Sequence, residues 1–245
     1  DAKQNRIVNT TILVPADSTI IIPVSCVEQG RWSYNSPSFS TEDRMMSSNL
    51  RAMKSQHVNF SVREEGKFRS DQGALWDEIS EKAQRHDAVS PSMAMSEIYK
   101  KEKPLLKEYI DGFSNTESQM GAVFMIDGKV AGMDCFGKPE TFLSVFKKLI
   151  GSYALDAIDW FKEEKQFKVL KSEVTKFIKE ASKASIEKQK SVGEGIDCRL
   201  ETKKITGFSL CHEDQIPHMS VFVKTDNDKP NSRMQRFSNR RQYTI

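Results

Sequence analysis

The stretch Gly121–Phe136, GAVFMIDGKVAGMDCF, gives the clearest indication of how this chain folds. Two apolar runs flank the dipeptide Asp127-Gly128 at its centre. Asp-Gly between apolar runs is a strong signal for a type I′ turn, because both central residues of that turn need a positive φ. The sequence therefore predicts an antiparallel β-hairpin here, and turn geometry alone accounts for the aspartate.

Strand patterns also occur near both ends of the chain. β-branched residues fill Ile7–Val14 and Ser18–Val27, with Pro15 opening the turn between them, so a second hairpin or two adjacent strands are expected. Further strands are predicted in the last third, over Ile196–Thr202, Ile205–Cys211 and His218–Val223.

Helical spacing of apolar residues dominates the region between those strands. We expect helices over about Thr41–Gln56, Asp71–Arg85, Ser92–Phe113, Pro139–Glu164 and Val169–Lys190, and one more strand over Val58–Val62. Pro104 should kink the third of these helices or split it in two. Strands near both ends separated by helices favour an α+β fold over a regular βαβ repeat. We predict a single α+β domain over residues 1–223, with antiparallel strands at both chain ends and a central helical region. A flexible basic polar tail is expected over residues 224–245.

Charge and composition argue against several classes of partner. The 245 residues carry 37 basic and 34 acidic side chains, a net charge of +3, which gives no overall field to attract nucleic acid or an anionic membrane. No apolar run is long enough to span a bilayer. The four cysteines are widely spaced and form no CxxC pair, which favours reduced thiols and a cytoplasmic location.

The common catalytic and metal-binding motifs are not found in this sequence. The four histidines form no HExxH or HxH pattern, so no metal site is predicted. A Walker loop, GxGxxG and GxSxG are also missing, which removes the usual nucleotide, dinucleotide and hydrolase signatures. Any site must therefore be sought in less familiar clusters of polar residues.

The first such cluster is the run Lys3, Gln4, Asn5 and Arg6, immediately before the first predicted strand. Lys3 and Arg6 could bind phosphate or carboxylate groups, and Gln4 and Asn5 could hydrogen-bond to a sugar or base. The alternative is a solvated N-terminal segment without a specific role.

The second cluster follows the end of the second predicted strand. Glu28 could act as a general base, Arg31 could hold a phosphate and Trp32 could stack on a base. Alternatively, Glu28 and Arg31 form a structural ion pair and Trp32 packs in the core. Cys26 is expected to be a small buried core residue.

Three other positions could contribute acid or base chemistry. Asp134 lies within an apolar strand and needs a partner if it is buried. Asp156 and Asp159 lie one helical turn apart and could line an acid/base site or an exposed helix face. His218 is the best single histidine for acid/base work, because it begins a predicted strand.

Several of these runs resemble one known family. Ala2-Lys3-Gln4-Asn5-Arg6, Val14-Pro15-Ala16, the run from Ile22 through Ser25-Cys26-Val27-Glu28-Gln29-Gly30-Arg31-Trp32, and Ser152–Ala157 are similar to the domain named for its association with ADP-ribosylglycohydrolases and rhodanese-phosphatases. The resemblance implies a place in NAD and ADP-ribose metabolism. It implies no particular reaction.

Two functions from different classes follow. The first is an enzyme, a hydrolase or transferase, or a binding protein for an ADP-ribose-like or other NAD-derived nucleotide or phosphorylated sugar; the second is a noncatalytic protein-interaction module with a structural polar cluster. The residues assigned to the first are Glu28 and Asp156 as catalytic groups, and Lys3, Gln4, Asn5, Arg6, Arg31 and Trp32 as ligand-binding groups. The sequence identifies no cofactor and no oligomeric state.

Overall fold

The computed structural model describes residues 4–31, 33, 37, 38, 40–160 and 170–224. Two predicted ligand-binding residues, Lys3 and Trp32, lie outside the described residues. The end of the helix predicted to reach Glu164 also lies outside them, as does the predicted tail apart from Lys224.

Helices and strands follow one another in a mixed order. In chain order they are β1 (Arg6–Val8), β2 (Val24–Cys26), α1 (Ser48–Glu65), α2 (Gln72–Arg85), α3 (Met95–Lys101), α4 (Lys103–Asp111), β3 (Gly121–Ile126), β4 (Lys129–Phe136), α5 (Pro139–Trp160), α6 (Lys171–Ala181), β5 (Ser185–Lys190), β6 (Ile196–Glu201), β7 (Ile205–His212) and β8 (Gln215–Val223). An antiparallel pair, β1-β2, lies near the N-terminus, and a six-stranded sheet has the order β3-β4-β8-β7-β6-β5. All of its neighbouring strands are antiparallel, which confirms the α+β class.

The central hairpin forms as predicted and organises the sheet. Asp127 and Gly128 have φ values of 50° and 73°, the positive values that a type I′ turn requires. The second strand of this hairpin, β4, pairs with β8, and Asp134 lies opposite Ser220. Local turn chemistry therefore forms the hairpin, and the long-range pairing of β4 with β8 joins it to the sheet.

Helix boundaries also follow local chemistry. Asp71 caps α2, since its Oδ1 accepts a hydrogen bond from the backbone N of Ala74 at 2.9 Å. Pro104 lies in the first turn of α4, where its missing N–H costs nothing. Of the two outcomes predicted at Pro104, the structure shows the split, into α3 and α4. Pro139 begins α5 in the same way.

Two predictions near the ends of elements are wrong. Val58–Val62 was expected to be a strand, but it belongs to α1, where Val58 and Val62 pack with Phe68 on a buried face. Strand preference depends on packing context, and here the helix buries the branched side chains equally well. The helix predicted over Val169–Lys190 ends at Ala181, and Ser185–Lys190 pairs with β6 as a sheet-edge strand.

The N-terminal strands are shorter than the sequence predicts. Of Ile7–Val14 and Ser18–Val27, only Arg6–Val8 and Val24–Cys26 pair as strands. Residues 9–13 leave the ribbon because their polar side chains bond to other elements: Asn9 donates to the carbonyl of Phe68 at 3.0 Å. Leu13 forms an isolated bridge with Glu194 before β6.

The two faces of the large sheet differ in what covers them. Helices α1 and α5 pack on one face, where Ala52 and Tyr153 contact Phe222. On the other face, Phe177 of α6 packs against the strand residues whose side chains point the opposite way, such as Val221 of β8. Side chains two residues apart on a strand lie on the same face of the sheet. Asp134, His218 and Ser220 are therefore on the same face as Phe136 and Phe222, the face that packs against α1 and α5. None of the helices over the described residues is long and apolar enough to cross a membrane.

Candidate functional site

The carboxylate of Glu28 is held by four hydrogen bonds. Its Oε1 accepts from Arg31 Nε at 2.9 Å and from Ser92 Oγ at 2.7 Å, and its Oε2 accepts from Arg31 Nη2 at 2.7 Å and from the backbone N of Asn5 at 3.0 Å. Burial alone would raise the pKa of Glu28, but the hydrogen bonds from Arg31, Ser92 and Asn5 lower it. Glu28 is therefore ionised, and its carboxylate links Asn5, directly before β1, to the loops that carry Arg31 and Ser92.

Asp156 is equally enclosed in a different part of the fold. It accepts hydrogen bonds from Ser48 Oγ at 2.5 Å and from the backbone N of Asn49 at 2.7 Å, so it stabilises the N-terminus of α1. Lys82, which has no exposed surface, donates to Asp156 Oδ1 and to Asp159 Oδ2, both at 2.8 Å. Burial opposes ionisation of Asp159, but Arg85 and Lys82 lower its pKa to about 2.

The structure brings only some of the predicted site residues together. Asn5, Glu28 and Arg31 form one cluster, whereas Asp156 has none of those residues among its hydrogen-bond partners. Gln4 is buried, and its Nε2 has no hydrogen-bond partner among the described residues. Arg6 is exposed at the start of β1.

A larger polar cluster, which the sequence did not predict as a unit, lies between α1, residues 9–13 and the large sheet. We call it the polar layer; its members are Thr10, Thr11, Arg51, Lys54, Asp134, Asp197, Arg199, His218 and Ser220. Thr10 attaches residues 9–13 to β6, since its Oγ1 donates to Asp197 Oδ2 at 2.5 Å and accepts from Arg199 Nη2 at 2.7 Å. Thr11 attaches the same segment to β8.

Asp134 lies at the centre of the polar layer and has no exposed surface. It pairs with Arg51 through both guanidinium nitrogens, accepts from Tyr153 Oη at 2.9 Å and from Ser220 Oγ at 2.5 Å. Burial would raise the pKa of Asp134, but the charge of Arg51 and its hydrogen bonds hold it well below its usual range. The partner that the sequence required for this carboxylate is therefore Arg51 of α1.

His218 connects Asp134 to the hydroxyl of Thr11. Its Nδ1 lies 2.6 Å from Thr11 Oγ1, and its Nε2 lies 3.1 Å from Ser220 Oγ and 3.9 Å from Asp134 Oδ1. The ring of Phe136 stacks on the imidazole with centroids 4.5 Å apart, which fixes its plane. The His218 side chain is 18% exposed and Thr11 is half-buried, so this series of groups reaches the surface.

Lys54 adds a cation that no carboxylate balances. Its Nζ donates to the carbonyl of Val8, and none of the described carboxylates forms an ion pair with it. Burial, followed by the positive charges of Arg51 and Arg199, lowers the pKa of Lys54 to about 7. A half-buried ammonium in such a position is stabilised by any anion that reaches it.

The two guanidinium groups near Lys54 already have partners. Arg51 pairs with Asp134, and Arg199 pairs with Asp197 through Nε at 2.5 Å and Nη2 at 2.7 Å. Arg199 also lies between the rings of Phe68 and Phe208, while its Nη1 has no hydrogen-bond partner among the described residues. The polar layer therefore carries one positive charge in excess whenever Lys54 is protonated.

Sequence reasoning found part of this arrangement. It selected Asp134 for its need of a partner and His218 as an acid/base candidate, but it did not join them to each other. It missed Lys54 and Thr11. The available signals were the Arg51-Lys54 spacing of three on one helix face and the two threonines, Thr10 and Thr11, within the predicted strand Ile7–Val14.

Other features of the described residues offer less chemistry. A cavity of about 330 Å³ opens beside the end of α2, and Ile79, Ala83, Ala88 and Met93 are among its lining residues. It includes no member of the polar layer. No group of three or more His, Cys, Asp or Glu side chains within the described part of the chain is arranged to hold a metal ion.

Comparison with known proteins gives one match. The model of the ARG and Rhodanese-Phosphatase-superfamily-associated Protein domain, ARPP-1, matches residues 1–222. This span includes both clusters around Glu28 and Asp156 and the whole polar layer. No curated protein and no solved structure matches the chain.

Proposed function

We propose a ligand for this chain, which belongs to the ARG and Rhodanese-Phosphatase-superfamily-associated Protein domain family. The ligand is a phosphorylated nucleotide of the ADP-ribose type, and it binds at the polar layer. Lys54 would hold a phosphate, and the hydroxyl groups of the adjacent threonines would bond to the sugar. The single observation that carries the proposal is the half-buried ammonium of Lys54, which forms no ion pair with a carboxylate in the described part of the chain.

The electrostatics favour an anion with several oxygen atoms. A phosphate beside Lys54 would raise the pKa of the ammonium toward its ordinary value, and hydrogen bonds between charged groups are stronger than neutral ones. Arg199, with its free Nη1, adds a second cation close enough to lower the pKa of Lys54. Asp197 already balances the charge of Arg199, so the excess charge that a phosphate would match is that of Lys54.

The ligand class rests on the resemblance of the KQNR and SCVEQGRW runs to a family associated with ADP-ribosylglycohydrolases. Arg6 is exposed two residues before Val8, whose carbonyl binds Lys54, so it could reach a second phosphate. Gln4, Asn5 and Arg31 stay predicted ligand contacts, as do Lys3 and Trp32, which lie outside the described residues. A catalytic role for Glu28 or Asp156 as base would require each carboxylate to exchange a present hydrogen bond for the substrate proton.

The direct test is ligand-induced stabilisation. Thermal melting is followed with ADP-ribose, NAD and cyclic ADP-ribose; a ligand at 100 times its dissociation constant adds about 2.7 kcal/mol to the free energy of unfolding. Lys54→Met is expected to weaken binding about tenfold or more, because it removes a charged hydrogen bond. Lys107→Met, at a pair exposed to solvent, is the matched control and should bind normally. A protein that none of the three ligands stabilises overturns the proposal.

One observation favours the alternative of a noncatalytic interaction module. Glu28 with Arg31, and Asp156 with Lys82, are closed ion pairs whose carboxylates are already fully bonded. In that case Glu28→Gln and Asp156→Asn should lower stability, and ligand binding should not be measurable for the wild-type protein. The same melting experiments therefore separate the two functions.

A further inference from the structure

We infer that Thr11, His218 and Asp134 form a nucleophile, base and acid series that hydrolyses a carboxylic ester. A hydroxyl, an imidazole and a buried carboxylate in this order are the groups of nucleophilic acyl transfer, which is recognised by geometry and roles and not by order in the sequence. Thr11 Oγ1 lies 2.6 Å from His218 Nδ1, within the range needed for proton transfer.

The hydrogen bonds around His218 select its reactive tautomer. Ser220 Oγ donates to the ionised Asp134 at 2.5 Å and accepts from Arg51 Nη2 at 3.3 Å, which leaves its second lone pair to accept a hydrogen from His218 Nε2 at 3.1 Å. The proton then resides on Nε2, and Nδ1 faces the Thr11 hydroxyl with a lone pair. Asp134 acts on the histidine through the Ser220 hydroxyl, and Ser220 is thus a positioning residue.

Neighbouring groups hold the series in this state. The guanidinium of Arg51 lowers the pKa of Asp134 and so keeps this carboxylate ionised. Phe136 stacks on the imidazole and Phe208 meets it edge-on with centroids 5.5 Å apart, so rotation of the ring is blocked on two sides. Such fixed geometry is a requirement of general base catalysis.

Ester hydrolysis by these groups takes two acyl-transfer steps, with water as the only other reactant. Thr11 Oγ1 bonds to the ester carbonyl carbon while its proton passes to His218 Nδ1. The bond from that carbon to the alcohol oxygen breaks, and the alcohol leaves with the proton from His218. Water then attacks the acyl-threonine, gives one proton to His218, and releases the carboxylic acid as the proton returns to Thr11.

The preferred substrate is an ester that also carries a phosphate, and this part rests on the proposed function. Lys54 binds the carbonyl of Val8, three residues before Thr11 on the same segment, so an anion at Lys54 places the attached ester near the hydroxyl. An acetyl ester of an ADP-ribose hydroxyl has both groups. A neutral ester should react through the same threonine without help from Lys54.

The experiment uses the full chain with two probes, 4-nitrophenyl acetate and acetylated ADP-ribose. Thr11→Val keeps the shape of the side chain and should lower hydrolysis of both by about 10²- to 10⁴-fold, and His218→Gln should do the same. Thr11→Ser should restore activity. Peptide mass spectrometry of protein quenched during turnover should locate one acetyl group on Thr11.

The outcomes separate this inference from the proposed function. Hydrolysis of 4-nitrophenyl acetate that depends on Thr11, without binding of ADP-ribose, supports the series and overturns the nucleotide site. Stabilisation by ADP-ribose with no hydrolysis of either ester, or with equal rates for wild type and a folded Thr11→Val variant, overturns the series. An acetyl group on a different residue also overturns it.

Discussion

The ammonium of Lys82 lies 2.8 Å from Asp156 Oδ1, and the lysine side chain has no surface exposed to solvent. The same ammonium bonds to Asp159, while Asp156 also holds the first turn of α1 through Asn49. One buried cation therefore joins α2, α5 and the start of α1. Since α1 carries Arg51 and Lys54, this ion pair indirectly fixes one wall of the polar layer.

Lys82→Met should destabilise the protein strongly. Asp159 keeps Arg85 as a partner, but Asp156 is left as a buried carboxylate without a cation, and removing one partner of a buried ion pair costs about 3–5 kcal/mol. Urea unfolding followed by circular dichroism measures this loss directly.

The matched control for that variant is Lys100→Met, where an exposed lysine pairs with Glu97 on α3. Exposed pairs contribute at most about 1 kcal/mol, so the control should change stability little. Similar losses for the two variants would contradict a special role of Lys82.

Glu28→Gln should remove part of the acid sensitivity of stability. The hydrogen bonds on Glu28 lower its folded-state pKa below 4.5, so the unfolded chain binds more protons as the pH falls below that value. The stabilisation is present above the unfolded-state pKa and is lost as the pH falls through the folded-state pKa. Urea unfolding between about pH 3 and 6 should show a shallower loss of stability in the variant.

Glu64→Gln, at a solvent-exposed pair with Arg63, serves as the control for charge removal. It should follow the wild-type pH profile. If Glu28→Gln also follows that profile, the hydrogen bonds around Glu28 do not stabilise the fold.

How far the sequence predicts this structure depends on whether the controlling chemistry is local. The turn at Asp127-Gly128 and the start of α2 depend on neighbouring residues, and both were predicted. The helical state of Val58–Val62 was not predicted, because strand preference depends on packing context and one partner on the buried face, Val192, is distant in the chain.

The candidate site shows the same division. Asp134 and His218 were each selected from the sequence. Asp134 is a carboxylate in an apolar strand and needs a partner, and His218 begins a predicted strand. Their meeting depends on the pairing of β4 with β8, which sets Asp134 opposite Ser220 across 86 residues of chain. Nothing in either segment alone specifies that pairing, and the position of Thr11 depends on a third segment.

Binding of a phosphorylated ligand should take up protons near neutral pH. Lys54 has a pKa of about 7 in the free protein, and an anion beside it favours the ammonium and raises that pKa. Between pH 7 and the unperturbed value of 10.5, the complex therefore holds more protons than the free protein, and affinity falls as pH rises. Calorimetry at one pH in buffers of different ionisation enthalpy measures the uptake.

Lys54→Arg and Lys54→Met give a matched pair for this experiment. The arginine variant keeps a charge that does not titrate in this range, so it should bind without proton uptake. The methionine variant should bind weakly. Proton release on binding to the wild-type protein would contradict the assignment of Lys54 to the anion.

Gly193→Ala should disturb the polar layer from outside it. A Cβ at Gly193 would lie 2.0 Å from the carbonyl oxygen of Leu13, so residues 9–13 must move and the bridge between Leu13 and Glu194 must open. A clash of this kind costs about 1–3 kcal/mol. Because the moved segment carries Thr11, nucleotide binding and ester hydrolysis should both fall, as calorimetry and the 4-nitrophenyl acetate assay would detect.

Gly151→Ala in α5 is the control: its added Cβ meets no atom closer than 3.7 Å, and alanine favours a helix, so stability should stay constant or rise. Equal behaviour of the two alanine variants would mean that residues 9–13 do not need their present path over the sheet.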